Sequence, residues 1–418
     1  MNMRTLKIQA TILMIVFAVL APYAPGNDAP RDGLTLLYAA RVAEAREAVA
    51  AGEGPLAEAW PALRERAEAI LAADTVYSVT FNESAAASGN PHDYYSTGPY
   101  WWPDPESEDG LPYIRRDGEF NPERDRVSDR DPLHNMVRDV RTLAYAFTLS
   151  GEERFAKHAA RLVRVWFLDE ATHMRPNLNH AQAIPGRVTG RGTGIIDTHV
   201  FVFLVDALLL LEASDAWSAD DARAMRAWMN DFLDWLLAHP HGRHERRARN
   251  NHGSAFDLQA VSLALYTGRT HLARIILEED TTARIVAHIA ADGRQPLEIA
   301  RTRSWSYTTE NLRHFVRLGL LARHVGVDLF GYEGEEGGSI AAALAFALPY
   351  VCDPDAWPYE QVTAWQTGYI REVLTVAREM YPHKSDAVEE ALRCLGPPPE
   401  EFVFFLHFIR PPSPPLAR

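Results

Sequence analysis

Apolar residues recur at three- and four-residue spacing along most of this 418-residue chain. That spacing places them on one face of an α-helix and predicts helices that bury this face in a core. Alternation typical of strands is scarce, and short turns between consecutive helices favour antiparallel hairpins. The predicted helices cover residues 34–51, 55–73, 132–149, 152–167, 197–211, 219–238, 254–266, 270–291, 310–325, 338–347, 360–380 and 384–394.

Two hairpin corners, 150–156 and 267–273, share the pattern Ser/Thr-Gly-x-x-x-Phe/Leu-Ala. Glycine at such a corner ends one helix in the left-handed conformation, and the next helix begins at once. A repeated helical hairpin indicates a toroid or a solenoid of paired helices. The sequence contains no Ser/Gly-rich linker, so we expect a single helical domain over residues 25–396.

The N-terminus has the pattern of a secretory signal. Arg4 and Lys7 precede an apolar run over residues 8–21, and small residues and proline follow it. The run is short for a membrane span, which needs about 20 apolar residues. We expect residues 1–24 to be a signal peptide, and the mature protein to be periplasmic or secreted without stable membrane insertion. An uncleaved anchor is the alternative.

The C-terminal part contains the only two cysteines, Cys352 and Cys394, and a Pro-rich tail. In an oxidising compartment the thiols could pair and join two helices, but the sequence does not establish the geometry that a disulfide needs. We expect the tail, residues 397–418, to lie outside the domain and to end in an extended segment.

The chain is acidic, with a net charge of −14, yet residues 246–252 have the sequence RRARNNH. The overall charge argues against nucleic acid as a partner. The segment 239–249 has four arginines and three histidines against one glutamate, and such a cluster can concentrate an anionic ligand. Asn251 and His252 would then receive a carboxylate. Alternatively, an asparagine caps the next helix, and the arginines form a solvated loop.

A second cluster, RTRSWSY, occupies residues 301–307. Arg301 and Tyr307 are six residues apart, which does not place them on one helix face, so we expect an irregular segment that directs both inward. The alternative is a helix N-terminus with Trp305 as a packing residue.

Two long irregular stretches, 75–131 and 173–196, interrupt the helical pattern, and long loops within compact domains are usually functional. The first contains HDYYSTGPYWWPDP, whose aromatic side chains could form a wall that stacks on sugars or a small hydrophobic cluster.

These motifs, together with RPNLNHAQAIPGRVTGRGTGIID at 175–197 and NNHG at 250–253, occur in an order that resembles the alginate-lyase superfamily of polysaccharide lyases. The resemblance covers about residues 75–350. It implies an all-α fold, an incomplete α/α toroid of antiparallel hairpins with long inserted loops. The WWPDP and RTRSWSY forms are similar to the branch that acts on mannuronan or β-1,4-glucuronan.

The resemblance implies a catalytic set of Asn251, His252, Arg301 and Tyr307, and an acidic polysaccharide substrate. His180 stands where we expect an aromatic residue, which leaves the substrate preference at that end open. The expected substrate-binding residues are Tyr94, Tyr95, Tyr100, Trp101, Trp102, Asn179, His180, Gln182, Arg249, Arg303 and Trp305.

The implied reaction is β-elimination from a uronate, which is difficult because the C5 hydrogen lies beside a carboxylate that is already charged. Asn251 and Arg301 would neutralise that carboxylate. If H5 and O4 lie on the same face, Tyr307 could move the proton between them; if they lie on opposite faces, His252 would be the base and Tyr307 the acid. We expect nearby cations to lower the pKa of Tyr307. The scheme requires no metal or organic cofactor.

Three other functions fit parts of the pattern. A glycoside hydrolase would need two carboxylates across the scissile bond, and Glu298, Glu310 and Asp257 are the candidates. A non-catalytic binder of acidic glycans would use the same cations and aromatics. A zinc enzyme would use histidines, although the arginines and the spacing disfavour a dication. The candidate zinc ligands are His239, His241, His244 and His252.

Overall fold

The computed structural model describes residues 33–82 and 86–412, most of which are helical. The α-helices are α1 (Ala39–Ala51), α2 (Gly54–Ala73), α3 (Glu123–Arg126), α4 (Arg130–Ser150), α5 (Glu153–Val163), α6 (Phe201–Leu211), α7 (Ala219–Ala238), α8 (Pro240–Arg246), α9 (Asn251–Tyr266), α10 (Thr270–Ile275), α11 (Thr282–His288), α12 (Pro296–Ile299), α13 (Ser304–Ala322), α14 (Ile340–Cys352), α15 (Gly368–Met380), α16 (Ser385–Leu395) and α17 (Val403–Phe408). The strands are β1 (Tyr95–Thr97), β2 (Trp101–Trp102), β3 (Ile114–Arg115) and β4 (His180–Ala183).

The helices form an α/α toroid, as predicted. One set of helices packs in chain order, α1 on α4, α4 on α6, α6 on α9, α9 on α13 and α13 on α15. A second set, α2, α5, α10, α14 and α16, packs against the helix that precedes each in the chain. Nearly all side chains of α9 and α13 are buried, which places these two helices inside the ring.

The two predicted hairpin corners are confirmed. Gly151 and Gly268 adopt φ angles of 73° and 75°, the left-handed region that glycine occupies without steric cost. The helices after both corners contain a π-helical segment, Arg164–Leu168 after α5 and Ile276–Thr281 between α10 and α11.

The two irregular stretches meet in a small parallel sheet. Strand β1 pairs with β4, so that Tyr95 lies opposite His180, and the amide of Gly98 donates to the carbonyl of Ala183 at 3.0 Å. Strands β2 and β3 form a separate antiparallel pair within the first stretch. The sheet therefore joins segments that are about 85 residues apart into one wall.

The local structure near the site differs in two places from what the sequence predicts. Helix α8, which Pro240 starts, was not predicted, and it covers the first part of the basic run, whereas residues 247–250 lie outside any helix. The segment that contains Trp305 and Tyr307 is the first turn of α13, which begins at Ser304 rather than at residue 310. Arg301 lies just before this helix, so its side chain and that of Tyr307 converge across a helix start.

The expectation that residues 397–418 lie outside the domain was also wrong for the part of this tail that the structure describes. Helix α17 buries Phe404, Phe405 and Phe408, and the carbonyl of Phe408 accepts from the amide of Tyr38 at 2.9 Å. The apolar sequence FVFFLHFI needs such burial, and it packs against α1 and α2. The last six residues of the tail lie outside the described residues.

Cys352, at the end of α14, and Cys394, in α16, form a disulfide. The expected signal peptide, residues 1–24, lies outside the described residues. Within the part that the structure describes, the stretch Gly192–Leu211 is long and apolar enough to cross a membrane, but 72% of its most apolar window is buried inside the fold. This stretch is therefore part of the core.

Candidate active site

A cleft of about 600 Å³ opens between the two irregular stretches, which we call the loop wall, and the N-termini of α9 and α13. All four side chains expected to be catalytic line it, namely Asn251, His252, Arg301 and Tyr307. Four of the expected substrate-binding residues line the same cleft, namely Tyr100, Trp101, Gln182 and Arg303. The structure thus brings together motifs that are up to 207 residues apart in the chain.

Asn251 is the first residue of α9 and is held from two sides. Its backbone N–H donates to Oε1 of Glu298 at 2.6 Å, and its side-chain Nδ2 donates to Oε2 of Glu310 at 3.3 Å. Asn250 precedes the helix without a capping hydrogen bond, so the buried carboxylate of Glu298 satisfies the first amide instead. The anchored amide of Asn251 is therefore fixed at the wall of the cleft.

His252 follows and contacts a buried carboxylate. Its Nδ1 lies 2.5 Å from Oε1 of Glu245, a residue of α8 that is only 2% exposed. Burial lowers the pKa of His252, but the charge and hydrogen bond of Glu245, with Glu298 and Glu310 nearby, outweigh it and raise the pKa overall. The imidazole is therefore biased toward its cationic form.

Arg301 lies against the ring of Tyr307, with its guanidinium carbon 4.1 Å from the ring centre. Its Nη2 donates to the Tyr307 hydroxyl at 3.1 Å, and Nε and Nη2 donate to the carboxylate of Asp117 at 3.2 and 3.1 Å. Burial lowers the pKa of Arg301, but Asp117 and Tyr307 raise it overall. Sequence reasoning missed Asp117, which sits in the first irregular stretch without a motif around it.

The pKa of Tyr307 is raised, not lowered as we expected. Burial is the largest cause, and the charge and hydrogen bond of Tyr100 add to it. Arg301 and Arg303 act in the expected direction but do not compensate for the loss of solvent. In the free protein Tyr307 is therefore a neutral phenol.

The cationic lining comes mainly from arginines that we did not single out, in the two irregular stretches. Six arginines line the cleft, and Arg301 and Arg303 alone were expected. The basic run contributes little to this lining, because Arg246 pairs with Asp280 at 2.6 Å and Arg249, although exposed, is not among the residues that line the cleft. The four arginines that sequence reasoning missed are Arg115, Arg124, Arg130 and Arg191.

Two of the expected sugar-stacking residues are buried in the core and cannot reach a sugar. Trp305 is 0% exposed and stacks on Trp365 with ring centres 4.1 Å apart, so the packing alternative is correct. Tyr94 is also 0% exposed, and its hydroxyl donates to Asp197 at 3.1 Å. Phe120 and Tyr369 line the cleft instead, and no sequence signal pointed to them.

Four further residues also lie outside the cleft. Tyr95 lines a smaller neighbouring cavity of about 220 Å³, and the indole N–H of Trp102 donates to the carbonyl of Glu119 at 3.1 Å. The amide oxygen of Asn179 accepts from the indole of Trp235, and His180 lies 3.9 Å from Asp93. These four residues therefore belong to the loop wall and its surroundings, and they do not line the cleft.

Gln182 is the residue of β4 that faces the cleft, and it adopts a left-handed φ of 46°. Its Nε2 donates to Asp197 at 3.0 Å, and its Oε1 accepts from Arg191 at 2.8 Å. Such a conformation is strained for a residue with a side chain, and these contacts hold it.

The hydrolase and zinc alternatives lose support. Glu298 and Asp257 are at most 1% exposed, and of the three proposed carboxylates Glu310 alone lines the cleft. His239 stacks on Trp235, and among the described residues no group of three histidines converges at metal-binding distance.

Comparisons with known proteins show the family of this chain. A sequence model of the family named alginate lyase matches residues 78–357. An alginate lyase of known structure from Bacteroides ovatus is 37% identical and superposes with a TM-score of 0.84, over 90% of this chain and 98% of that one. No curated protein matches the chain in sequence.

More distant structures share the fold. A histidine-to-alanine variant of alginate lyase A1-III, from Sphingomonas species A1 and complexed with a tetrasaccharide, is 15% identical with a TM-score of 0.55. The match covers 86% of this chain and 91% of that one. A tyrosine-to-phenylalanine variant of the same enzyme, also with a tetrasaccharide, is 14% identical with a TM-score of 0.54, over 85% and 90% of the two chains. From the family match and the 37% identical relative, this chain belongs to the alginate lyase family and is a polysaccharide lyase.

Proposed function

We propose that this lyase cleaves a 1,4-linked polyuronate, either polymannuronate or glucuronan, by β-elimination and leaves 4,5-unsaturated uronate ends. The observation that carries the proposal is the convergence of Asn251, His252, Arg301 and Tyr307 on one cleft. The similar structure from Bacteroides ovatus, an alginate lyase that is 37% identical, supports the substrate class.

The first requirement of the reaction is to neutralise the uronate carboxylate. The amide of Asn251 and the imidazolium of His252 sit side by side at the start of α9. Their donors would bind the carboxylate, and the N-terminus of the helix adds a favourable partial positive charge. Donors placed where charge develops contribute about 3–4 kcal/mol each to the lowering of a barrier.

The second requirement is a proton carrier. Ionised Tyr307 would take the C5 hydrogen as a proton. The C4–O4 bond would break as the C4–C5 double bond forms, and Tyr307 would pass the proton to the departing O4. Burial keeps Tyr307 protonated in the free protein, so it must lose a proton before this step. The charges of Arg301 and Arg303 reduce the energy of that ionisation.

This route needs H5 and O4 on the same face of the sugar, as in polymannuronate and glucuronan. On polyguluronate they lie on opposite faces, and His252 would have to act as the base. The contact between His252 and Glu245 favours the cation, which makes His252 a poor base, so it supports the first route.

An assay with polymannuronate, polyguluronate and glucuronan tests the proposal. We expect the first or the third polymer to yield products with the ultraviolet absorbance of a conjugated unsaturated uronate. New reducing ends without that absorbance would contradict elimination and support hydrolysis.

We also propose that the protein is exported after removal of residues 1–24. The charged start, the short apolar run and the small residues that follow it support this. N-terminal sequencing of the protein from periplasm and medium tests it, and an intact N-terminus in the membrane fraction would contradict it.

A further inference from the structure

Glu245 is a buried carboxylate of the site that neither binds the substrate nor moves a proton in the steps above. It lies near the end of α8, and the chain turns back at once so that His252, in the first turn of α9, meets it. The oxygen Oε1 of Glu245 is 2.5 Å from Nδ1 of His252, and the residue is 2% exposed. Because Nδ1 is occupied, Nε2 is the ring nitrogen left to meet a substrate.

The surroundings of His252 decide its charge. The N-terminus of a helix disfavours a cation, and burial does so too. Three carboxylates from three different helices act in the opposite direction, namely Glu245 on α8, Glu298 on α12 and Glu310 on α13. Glu245 alone contacts the ring, so it is the member of this group that also fixes ring orientation.

We infer that Glu245 is a positioning residue that holds His252 as an imidazolium with Nε2 directed at the uronate carboxylate. His252 then binds and neutralises the carboxylate and takes no proton from carbon, which leaves Tyr307 as the base. This inference rests on the proposed function, but its first consequence is a property of the substrate-free protein. The two ideas can therefore fail separately.

The charge of His252 can be measured without substrate. Nuclear magnetic resonance of ring-labelled histidine, with His252→Gln to assign the signal, reports the pH at which His252 titrates. Glu245→Gln keeps the size of the side chain and removes its charge, so the titration should move to lower pH by about one unit or more. Glu245→Asp should restore part of the shift. An unchanged titration in Glu245→Gln would overturn the inference.

Steady-state kinetics on the accepted polyuronate provides a second readout. In Glu245→Gln the KM at neutral pH should rise about tenfold or more, because a charge-assisted contact to the carboxylate is lost. The KM of the wild type should increase at alkaline pH, and that increase should begin at lower pH in the variant. Asp280→Asn is the control. It removes the carboxylate that pairs with Arg246, a residue of the helix that also carries Glu245, and it should change neither readout. A wild-type KM and pH profile in a folded Glu245→Gln protein would also overturn the inference.

Discussion

The hydroxyl oxygens of Tyr100 and Tyr307 lie 2.7 Å apart, and each also accepts a hydrogen bond from a different arginine. Arg301 donates to Tyr307 at 3.1 Å, and Arg303 donates to Tyr100 at 3.2 Å. The pair joins the first irregular stretch to α13 at the centre of the cleft. The ionisation of Tyr307 therefore depends on Tyr100.

Replacing Tyr100 with phenylalanine should shift the pH dependence of the reaction. Burial and Tyr100 together raise the pKa of Tyr307, so loss of the Tyr100 hydroxyl should lower that pKa. If Tyr307 is the base, the increase in kcat/KM with pH should move down by about one pH unit, because kcat/KM reports the free enzyme. Tyr113→Phe, in the same stretch, is the matched control. A profile that coincides with the wild type would show that the two phenols are not coupled.

Arg301→Lys should reduce kcat/KM by about a hundredfold. Lysine keeps the charge but cannot donate to both Asp117 and Tyr307 in the planar geometry that arginine has here. Arg294→Lys, at an exposed pair with Asp292, should retain wild-type kinetics. Full activity in Arg301→Lys would mean that only the positive charge of this residue matters.

Much of the fold was predictable because helical periodicity and glycine corners are local signals. The corner at Gly151 is one example, since its left-handed φ follows from a pattern of seven residues. Helix α8 and the first turn of α13 were missed because they are rich in charged and polar residues and lack apolar periodicity. Tertiary contacts stabilise them instead. The contact of Arg246 with Asp280 is one such stabilising pair.

The candidate site was predictable as far as motifs extend. Asn251, His252, Arg301 and Tyr307 stand in recognisable segments, and the toroid brings them together. Trp305 was misassigned because an aromatic residue beside a site has no sequence signal for burial.

Several residues of the site were missed because they lie outside the motifs, in parts of the chain distant from their partners. Asp117 is 184 residues from Arg301, and Arg115, Arg124 and Arg130 also lie outside the motifs, whereas Arg191 lies within the motif at 175–197 but was not singled out.

Removal of the disulfide should lower stability without affecting catalysis. The bond between Cys352 and Cys394 closes a loop with a sequence separation of 42. Loop entropy then predicts a loss of up to about 4 kcal/mol in the free energy of unfolding for the Cys352→Ser, Cys394→Ser double variant. Thermal denaturation and the kcat of the folded variant check this. Equal melting temperatures with and without reductant would contradict it.

Glu298 should make the stability of the protein depend on pH. Burial raises its pKa from 4.5 to about 7, so its contribution is fully present below about pH 4.5 and is lost as pH rises through about 7. The loss is at most about 3 kcal/mol. Glu298→Gln keeps the acceptor for the amide of Asn251 and does not ionise. Denaturant unfolding at pH 5 and pH 8 measures the free energy of unfolding of both proteins. The value for the variant relative to the wild type should be higher at pH 8 than at pH 5, whereas a constant difference would argue against a buried ionisation.

The central claim is that a phenol in this cleft moves a proton from carbon to a departing sugar oxygen. The direct measurement is the ultraviolet absorbance of unsaturated product from polymannuronate and glucuronan, for the wild type and Tyr307→Phe, with substrate binding followed by calorimetry. We predict product from the wild type on at least one polymer, and a loss of at least about a thousandfold in kcat with nearly unchanged affinity in Tyr307→Phe. Unsaturated product formed at the wild-type rate by Tyr307→Phe would contradict the account.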